Sequence, residues 1–389
     1  MIYFQRTGLD YSQIGYLLAI WGAAVILLEV PSGLVADLWS RRGILGIAMF
    51  FKAAGFLVWL LRPDFFGFAL GFVLWGVQEA FTTGTTDAVL YDMLKDRGRE
   101  DRFVKISGRG ALMSRLGIIV SVLLGGWVFS RSVTVVLALS ALSMAIAGVC
   151  PLFFPPQRGG ARHRDGMPHE GDARSGDSEP VEEAPEPPSI ERVFAEILES
   201  ARAARAVPGI IPLVLFGSFA FVVYGVLDEY DFIFGTYHGV PVALIGLWGG
   251  TRFLLEGIGS ALAHRLEKHL DPDRPERLVA WVVAASLLLI LGVVSGLKVL
   301  LPFYFLFYAA MAAGEVIYQG GVQNRIESAG RATISSFFSL VYELSGLLII
   351  LLLGWTSQRL GLPALFLGGA AIAIATAVIY GAYLVVRRR

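Results

Sequence analysis

Apolar residues occur along this chain in a series of runs of about 20 residues, each ended by charged residues, glycine or proline. A run of that length forms an α-helix that can cross a hydrocarbon core about 30 Å thick. The pattern therefore predicts an all-α polytopic membrane protein. Its eleven predicted spans are 12–36, 43–61, 65–91, 105–129, 132–154, 207–234, 241–264, 278–297, 299–323, 332–355 and 363–386.

The composition agrees with this interpretation and excludes several classes of protein. Hydrophobic residues make up 55% of the chain, only 16% of residues are charged and the mean hydropathy is +0.64, whereas about 25% of a soluble domain is charged. The net charge is zero, which gives no reason to expect nucleic acid as a partner. Cys150 is the only cysteine and the five histidines have no metal-ligand spacing, so we predict neither a metal nor another cofactor.

The basic residues predict the orientation of the chain in the membrane. Of the 32 lysines and arginines, 23 lie in alternate loops or at the C-terminus, five lie in the intervening loops and four lie inside spans. Because cytoplasmic loops are enriched in Lys and Arg, we predict a cytoplasmic loop at 37–42, a cytoplasmic C-terminus and an external Met1. The plasma (inner) membrane is the expected location.

A polar segment divides the spans into two groups. Residues 155–188 are rich in proline, glycine and acids, a composition that cannot form a core and predicts a disordered linker. Ser189 then has the properties of an N-cap, and apolar residues at helical spacing predict an amphipathic helix at 190–205 on the cytoplasmic membrane face. The expected organisation is a first helix bundle at 1–154, a cytoplasmic linker at 155–206 and a second bundle of six helices at 207–389.

The two groups of spans contain similar sequences. Residues 21–29 (WGAAVILLE) and 248–256 (WGGTRFLLE) align at an offset of 227, and they share a tryptophan and an intramembrane glutamate. Residues 124–127 (LGGW) similarly resemble 353–355 (LGW). Parallel repeats of this kind are found in transporters whose substrate site lies between the two halves near the middle of the membrane. We therefore predict an internal repeat.

The loop after the first span carries a charged pattern known from a transporter family. Residues 33–43 read G-x-x-x-D-x-x-x-R-R-G, which resembles the loop between helices 2 and 3 of the major facilitator superfamily. Residues 86–92 resemble the end of helix 4 in a large subgroup of that family, and 331–333 resemble the start of helix 11 in many members. The resemblance implies a two-bundle fold that transports solutes by alternating access.

The resemblance also implies a cluster of charges that latches the two bundles together on the cytoplasmic side. Ordinary solvated loop charges are the alternative. The resemblance further implies that span 12–36 is helix 2 of the family, so that the chain lacks most of helix 1 and its first bundle holds helices 2–6. The arginine motif of helix 4 is not seen, and the antiporter motif of helix 5 is incomplete. The residues implied for the latch are Asp37, Arg41, Arg42, Asp92 and Arg331.

Ionisable residues inside the spans are candidates for function because each costs at least about 2.5–3.5 kcal/mol unless it faces a cavity or a partner. Pairing between helices is the alternative explanation. Arg252 and Glu256 are spaced for pairing along one helix, and Asp228 and Asp231 lie near the external end of a span, where water can reach them. The candidates for binding a substrate or a proton are Glu29, Glu79, Asp87, Arg115, Glu256, Glu315 and Glu343.

Glu79, Glu315 and Glu343 lie nearer the middle of their spans and lack an obvious local cation, so they are the preferred proton or substrate sites. Arg115, in the middle of its span, is a candidate for binding an anionic group or for pairing with a glutamate. Hydrogen bonds to a solute could come from Tyr224, Tyr230, Tyr318, Gln319, Gln323 and Tyr342, although tyrosines on helices more often serve packing.

These observations together predict a secondary active transporter for a small solute, with proton coupling. Acids outnumber bases inside the spans, which favours a cationic or neutral solute. The expected partners are that solute and the lipid bilayer. The sequence has no phosphate-binding loop for ATP and no paired-histidine or Ser-His constellation within a span, so an enzyme is not expected. A transporter-like membrane sensor or scaffold remains the alternative, because of the long linker.

Overall fold

The structure is a computed structural model. It describes residues 1–38, 41–83, 85–99, 102–153, 198, 201–202, 204–205, 207–270, 274–295, 297–325 and 331–388. Only the backbone is described at 29–38, 41, 87–88, 92, 104, 111–112, 115, 298, 331–337 and 388. Most of the predicted linker at 155–206 therefore lies outside the described residues, although the five described positions between 198 and 205 are helical.

The described residues form fifteen α-helices and no strand, so the predicted all-α fold is confirmed. In chain order the helices are α1 Ile2–Arg6, α2 Tyr11–Leu38, α3 Arg41–Leu61, α4 Phe65–Thr82, α5 Thr85–Lys95, α6 Phe103–Arg131, α7 Val133–Val149, α8 Ile210–Ala220, α9 Val222–Asp228, α10 Asp231–Tyr237, α11 Ile245–Leu270, α12 Pro275–Val294, α13 Leu297–Gln323, α14 Arg331–Leu360 and α15 Leu362–Arg388. Two short 3₁₀ helices, Cys150–Phe153 and Val242–Leu244, follow α7 and precede α11.

Each of the eleven predicted spans coincides with one long helix or with consecutive shorter ones. Nine helical stretches in the described part of the chain are long and apolar enough to cross a membrane. The other two predicted spans are α6, whose apolar part Leu116–Arg131 is shorter, and α11, which carries more charged residues. With 29 and 26 residues, both helices exceed a ~30 Å hydrocarbon core at 1.5 Å per residue.

Two predicted spans are interrupted. The span predicted at 65–91 ends as α4 at Thr82, and Thr83 adopts an extended conformation before α5 begins. The hydroxyl groups of Thr82 and Thr83 donate to the carbonyl oxygens of Gln78 and Glu79, and such side-chain bonds compete with the helical ladder. The span predicted at 207–234 is divided into α8, α9 and α10. Both interruptions correct the prediction of continuous helices.

Local sequence explains where several helices begin. Asp64 precedes α4 in an extended conformation, and its carboxylate accepts a hydrogen bond of 2.8 Å from the Gly67 N–H. Ser132 caps α7 in the same way by accepting from the Val135 N–H. Pro275 occupies the first turn of α12, where its missing N–H costs nothing. These caps satisfy amide groups that the helices themselves leave unpaired.

The helices pack as two groups, which we name the N-terminal helices (α2–α7) and the C-terminal helices (α8–α15). In the first group α3 lies between α4 and α7, and α2 packs on α4. In the second group α13 packs on α11 and α12, while α15 packs on α12, α14 and α8. The two groups touch where α2 meets α14 and where α6 meets α11.

Individual glycines on the long helices differ in their surroundings. A Cβ atom placed on Gly346 of α14 would lie 3.4 Å from Val222 of α9, whereas one placed on Gly117 of α6 would meet no atom within 4 Å. The expectation that the chain lacks most of helix 1 stays a prediction.

Candidate functional site

The N-terminal and C-terminal helices meet through glycine residues. A Cβ atom on Gly15 of α2 would lie only 3.5 Å from the Cα atom of Gly354 on α14. Beside this contact the Ser12 hydroxyl lies within hydrogen-bond distance of two acceptors, the Gly354 carbonyl oxygen at 3.0 Å and Oε1 of Gln358 at 2.8 Å. Nε2 of Gln358 in turn donates to Asp10 at 3.0 Å. This hydrogen-bonded contact lies at the ends of α2 and α14 that the charge pattern predicts to be external.

A second close contact joins α6 to α11. A Cβ atom on Gly246 would lie 2.3 Å from the carbonyl oxygen of Val122, and one on Gly126 would lie 2.8 Å from the Gly246 nitrogen. The backbones approach this closely only because neither glycine has a side chain. Gly126 is near the end of α6 and Gly246 near the start of α11, so this contact lies at the same predicted external end.

Below these contacts the C-terminal helices contain a charged network centred on Arg252 of α11, whose side chain is 1% exposed. Arg252 Nε donates to Asp231 at 2.9 Å, its Nη1 group donates to Glu256, and its Nη2 group forms an ion pair with Asp228. The aromatic rings of Phe253 and Tyr308 also face the guanidinium group, at 4.1 and 5.0 Å. One buried cation is therefore shared by three carboxylates.

Asp231 is the most deeply buried and most completely hydrogen-bonded carboxylate of this network. Its side chain is completely buried, and it accepts hydrogen bonds from Trp248 Nε1 at 2.5 Å and from the Tyr304 hydroxyl at 2.6 Å as well as from Arg252. The sequence-based expectation that water reaches Asp231 is therefore wrong. Asp228, with 35% of its side chain exposed, agrees with that expectation, and the expected pairing of Arg252 with Glu256 is present.

A second polar cluster lies around Glu315 of α13. Its carboxylate accepts a hydrogen bond from the Tyr224 hydroxyl on α9 and another, of 3.2 Å, from the Tyr342 hydroxyl on α14. The Tyr224 ring also packs edge-on against Tyr308, with 6.2 Å between centroids. Glu315 is half-buried, and its two hydrogen-bond donors come from two other helices, so this carboxylate links three parts of the C-terminal group.

The N-terminal helices contribute a smaller charged pair. Lys52 of α3 lies over the Trp75 ring of α4, with Nζ 4.5 Å from the centroid, and it interacts electrostatically with Glu79 one turn further along α4. Glu79 also interacts with Glu229, which stands between α9 and α10. Carboxylates of the two groups are therefore within each other's electrostatic field.

The remaining predicted residues fall partly outside the described part of the structure. The side chain of Arg42 is half-buried at the start of α3, and that of Glu343 is exposed on α14. The side chains that are not described include four of the five latch residues and three of the candidate binding residues. They are Asp37, Arg41, Asp92 and Arg331, and Glu29, Asp87 and Arg115.

Sequence reasoning overlooked several partners of these groups. The sequence singles out neither Tyr304 nor Tyr308, and it identifies Trp248 only through the predicted repeat. Their spacing of four residues does place Tyr304 and Tyr308 on one face of α13, but it does not reveal that Asp231 lies opposite. Within the described ranges no group of histidine, cysteine and acidic residues has the arrangement of a metal site.

Long apolar helices, an internal interface of close glycine contacts and buried charges beside it are features of integral, multi-pass membrane proteins. Residues 1–349 match the family model of the Major Facilitator Superfamily. The chain therefore belongs to this family, and the resemblance inferred from its loop motifs is confirmed. No curated protein matches the chain.

Solved structures of other transporters share the fold. The nucleoside transporter NupG is 14% identical, with a TM-score of 0.71 over 97% of this chain and 92% of NupG. A bacterial homologue of the human lysosomal transporter Spinster, in an inward-facing and occupied conformation, is 16% identical, with a TM-score of 0.71 over 98% and 90%. A POT family transporter in complex with a conjugated peptide is 15% identical, with a TM-score of 0.64 over 98% and 90%. At these identities the likeness concerns the fold alone.

Proposed function

We propose that this protein is a secondary active transporter that moves a small solute by alternating access of its N-terminal and C-terminal helices. The observation that carries the proposal is the pair of contacts at one end of the molecule, Gly15 with Gly354 and Gly126 with Gly246. Small, hydrogen-bonded contacts of this kind can separate without exposing a large apolar surface. Alternating access requires contacts that close one end of the molecule during part of the cycle.

The proposed arrangement in the membrane follows the expectations from the sequence. The bundles at 1–154 and 207–389 are joined by a cytoplasmic linker at 155–206, and the C-terminus is cytoplasmic in the plasma membrane. A latch formed by the loop at 33–43 and the ends of the neighbouring helices would hold the cytoplasmic side closed during part of the cycle. A carboxylate at a helix N-terminus is stabilised by about 0.3–1 kcal/mol, which is enough to bias such a contact without making it permanent.

The proposed solute is cationic or neutral, and the proposed coupling ion is a proton. Glu315 supports this assignment because its carboxylate is half-buried and held by two tyrosine hydroxyls from different helices. Glu79 and Glu229 add negative charge where the two helix groups face each other. A cation entering between the groups is attracted by these carboxylates, whereas an anion would be repelled.

The experiment is uptake into vesicles reconstituted with the purified chain, under an imposed pH gradient. The probe panel contains nucleosides and short peptides, because structural neighbours are named for them, together with amino acids and organic cations. Accumulation of at least one probe that collapses when the gradient is removed would support the proposal. Failure of every probe to accumulate, by a protein that is folded and inserted, would contradict it.

A matched pair of variants tests the role of Glu315. Glu315→Gln keeps the shape and hydrogen-bonding capacity of the side chain but removes its charge, so we expect gradient-driven uptake to fall at least tenfold. Glu267→Gln on α11 is the control, because Glu267 is exposed near the end of that helix. Equal losses in the two variants would show that the charge of Glu315 has no special role.

A sensor or scaffold without transport activity is the second candidate, favoured by the length of the linker at 155–206. In that case, binding of a probe would be measurable by calorimetry while vesicle uptake stays at the level of empty liposomes. We do not expect an enzymatic activity from either candidate.

A further inference from the structure

A buried tyrosine lies among basic residues at the end of the C-terminal helices that the charge pattern predicts to be cytoplasmic. Tyr380 of α15 is only 6% exposed. Its ring stacks on that of Phe216 of α8, with 4.8 Å between centroids, and on that of Tyr383, with 6.0 Å between centroids. These two rings hold the Tyr380 ring in one orientation, so the direction of its hydroxyl group is fixed by packing.

The Tyr380 hydroxyl group has no hydrogen-bond partner in the described part of the chain, although it lies among charges. It interacts electrostatically with Arg325, which follows α13, and with Arg387 at the end of α15, and also with the Tyr383 hydroxyl and the Glu276 carboxylate. A buried polar group without a partner is costly, so this hydroxyl is a donor available to a ligand. Two positive charges and one negative charge surround it, and an anionic ligand is therefore favoured.

Arg387 is placed at this site by the start of α8. A Cβ atom on Gly209 would overlap Nη1 of Arg387, so the guanidinium group lies directly against the backbone at that point. Gly209 has φ +78°, and only glycine combines this conformation with so close an approach. The Arg387 side chain is exposed, which leaves its N–H groups accessible. A guanidinium group binds phosphate oxygens through two parallel hydrogen bonds.

Apolar surfaces on both sides of these charges indicate which kind of anion fits. Arg325 lies at a cleft between α8, α11, α12 and α13, whose apolar lining includes Leu213, Leu270, Pro275, Leu278 and Ile317. Beside Tyr380 and Arg387, α15 exposes Val378, Ile379, Val385 and Val386. An anion that carries hydrocarbon chains can use the charges and the apolar surface together, whereas a free inorganic anion can use only the charges.

We propose that Tyr380, Arg325 and Arg387 bind the phosphate group of an anionic phospholipid, whose acyl chains lie along the exposed apolar face of α15. Basic pockets between spans on the cytoplasmic side bind such headgroups, and the bound lipid would connect the ends of α8, α13 and α15. It would thereby stabilise the C-terminal helices. The proposal concerns lipid binding and does not depend on the transport function proposed above.

The test uses the purified full chain in a neutral detergent. Native mass spectrometry counts bound lipid molecules, and the melting temperature, followed by tryptophan fluorescence, reports stabilisation by added phosphatidylglycerol. Phosphatidylcholine, whose headgroup is zwitterionic, and inorganic phosphate are the comparison probes.

The variants separate this site from the rest of the basic surface. Tyr380→Phe keeps the stacked ring and removes only the hydroxyl group, while Arg325→Gln and Arg387→Gln each remove one charge. Arg265→Gln is the matched control, because Arg265 is exposed near the end of α11 and belongs to the same predicted cytoplasmic surface. Size-exclusion profiles establish that each variant is folded.

We expect phosphatidylglycerol to bind and to raise the melting temperature, and both comparison probes to do neither at the same concentration. Each of the two arginine variants should weaken phosphatidylglycerol binding about fivefold, the change expected for one arginine at an anionic lipid surface. Tyr380→Phe should weaken it about tenfold, as for one hydrogen bond to a charged group, and Arg265→Gln should leave it unchanged.

Three results would overturn the proposal. Unchanged lipid binding in Tyr380→Phe and in both arginine variants would show that these residues form no site. An equal loss in Arg265→Gln would show that the whole basic surface attracts the lipid without a specific site. Equal stabilisation by inorganic phosphate would assign the site to free anions, and equal stabilisation by phosphatidylcholine would show that the headgroup charge is not recognised.

Discussion

The contact between α6 and α11 offers a direct way to test the alternating-access proposal. Replacing Gly246 by alanine adds one Cβ atom, which would lie 2.3 Å from the carbonyl oxygen of Val122 and 2.9 Å from the Cα atom of Leu123. Ordinary contacts begin near 3.4 Å. Both obstructing atoms belong to the backbone, so a side-chain rotation cannot relieve the overlap. The two helices must separate by about 1 Å.

The expected magnitude follows from this overlap. Overpacking by one carbon atom costs typically about 1–3 kcal/mol, and here the cost applies only while the predicted external end is closed. The substitution should therefore shift the equilibrium towards the state open at that end by about 5- to 150-fold. Folding itself should be less affected, because the contact joins two helix groups and does not lie within either of them.

The assay uses the accessibility of a cysteine. Cys150, the only cysteine, is first replaced by serine, and Ser12→Cys then places a thiol in the contact of α2 with α14, where residue 12 is 3% exposed. A membrane-impermeant maleimide added to intact cells should label this thiol at a rate proportional to the open population. Gly246→Ala in this background should raise that rate by the factor given above.

Two matched controls make the result specific. Gly257 lies on the same helix, and a Cβ atom there would meet nothing within 4 Å, so Gly257→Ala should leave labelling unchanged. A Cβ atom on Gly126 would lie 2.8 Å from the Gly246 nitrogen, which is a smaller overlap than that of Gly246→Ala. Gly126→Ala should therefore have an intermediate effect. Equal labelling of the Gly246→Ala and Gly257→Ala proteins, both folded, would refute the idea that this contact closes the transporter.

Three further predictions concern the periphery of the molecule. Reporter proteins fused after Arg389 and within 155–188 should both report the cytoplasm, and opposite locations would show that the span count is wrong. Asp37→Asn should leave insertion intact but slow cycling, because it removes a latch charge, and wild-type uptake rates would defeat that assignment. The Arg62 guanidinium group, with a backbone N–H, holds the pKa of Asp64 below its ordinary value. The stabilisation that ionised Asp64 gives the fold should be present above the unfolded-state pKa of about 4. It should be lost as the pH falls through the lower folded-state pKa. The melting temperature of Asp64→Asn should therefore vary less with pH in acid than that of the wild type, and parallel curves would contradict this.

The membrane spans could be predicted from the sequence because the length of an apolar run is set directly by the thickness of the bilayer. The interruption after Thr82 has a local chemical cause, because the hydroxyl groups of Thr82 and Thr83 donate hydrogen bonds to backbone carbonyl oxygens. The run of threonines around Gly84 in the sequence could have indicated it. The break at Phe221 between α8 and α9 has no comparable signal in the sequence. Hydropathy measures transfer into lipid, and a short irregularity in a helix hardly changes it.

The partners of the buried charges could be predicted only where they lie on one helix. Arg252 and Glu256 are four residues apart, so helical geometry alone brings them together. Asp231 and Tyr304 are 73 residues apart, and their contact depends on how α10 and α13 are rotated about their axes. A helix that is apolar on all sides does not reveal its rotation through hydrophobic periodicity. Residues in such helices can be proposed as candidates, but their pairing requires the structure.

The predicted internal repeat allows positions in the two halves of the molecule to be compared. At the offset of 227 that aligns Trp21 with Trp248, Val25 corresponds to Arg252 and Phe4 corresponds to Asp231. Phe4 packs among aromatic rings, including Phe72 at 5.6 Å, whereas Asp231 binds Arg252 and Tyr304. At the offset of the predicted repeat these two positions correspond in sequence, yet one belongs to an apolar cluster and the other to a charged one. Glu315 is the carboxylate that the C-terminal helices offer to the proposed cation, and Glu79, which interacts with Lys52, is a candidate in the N-terminal helices.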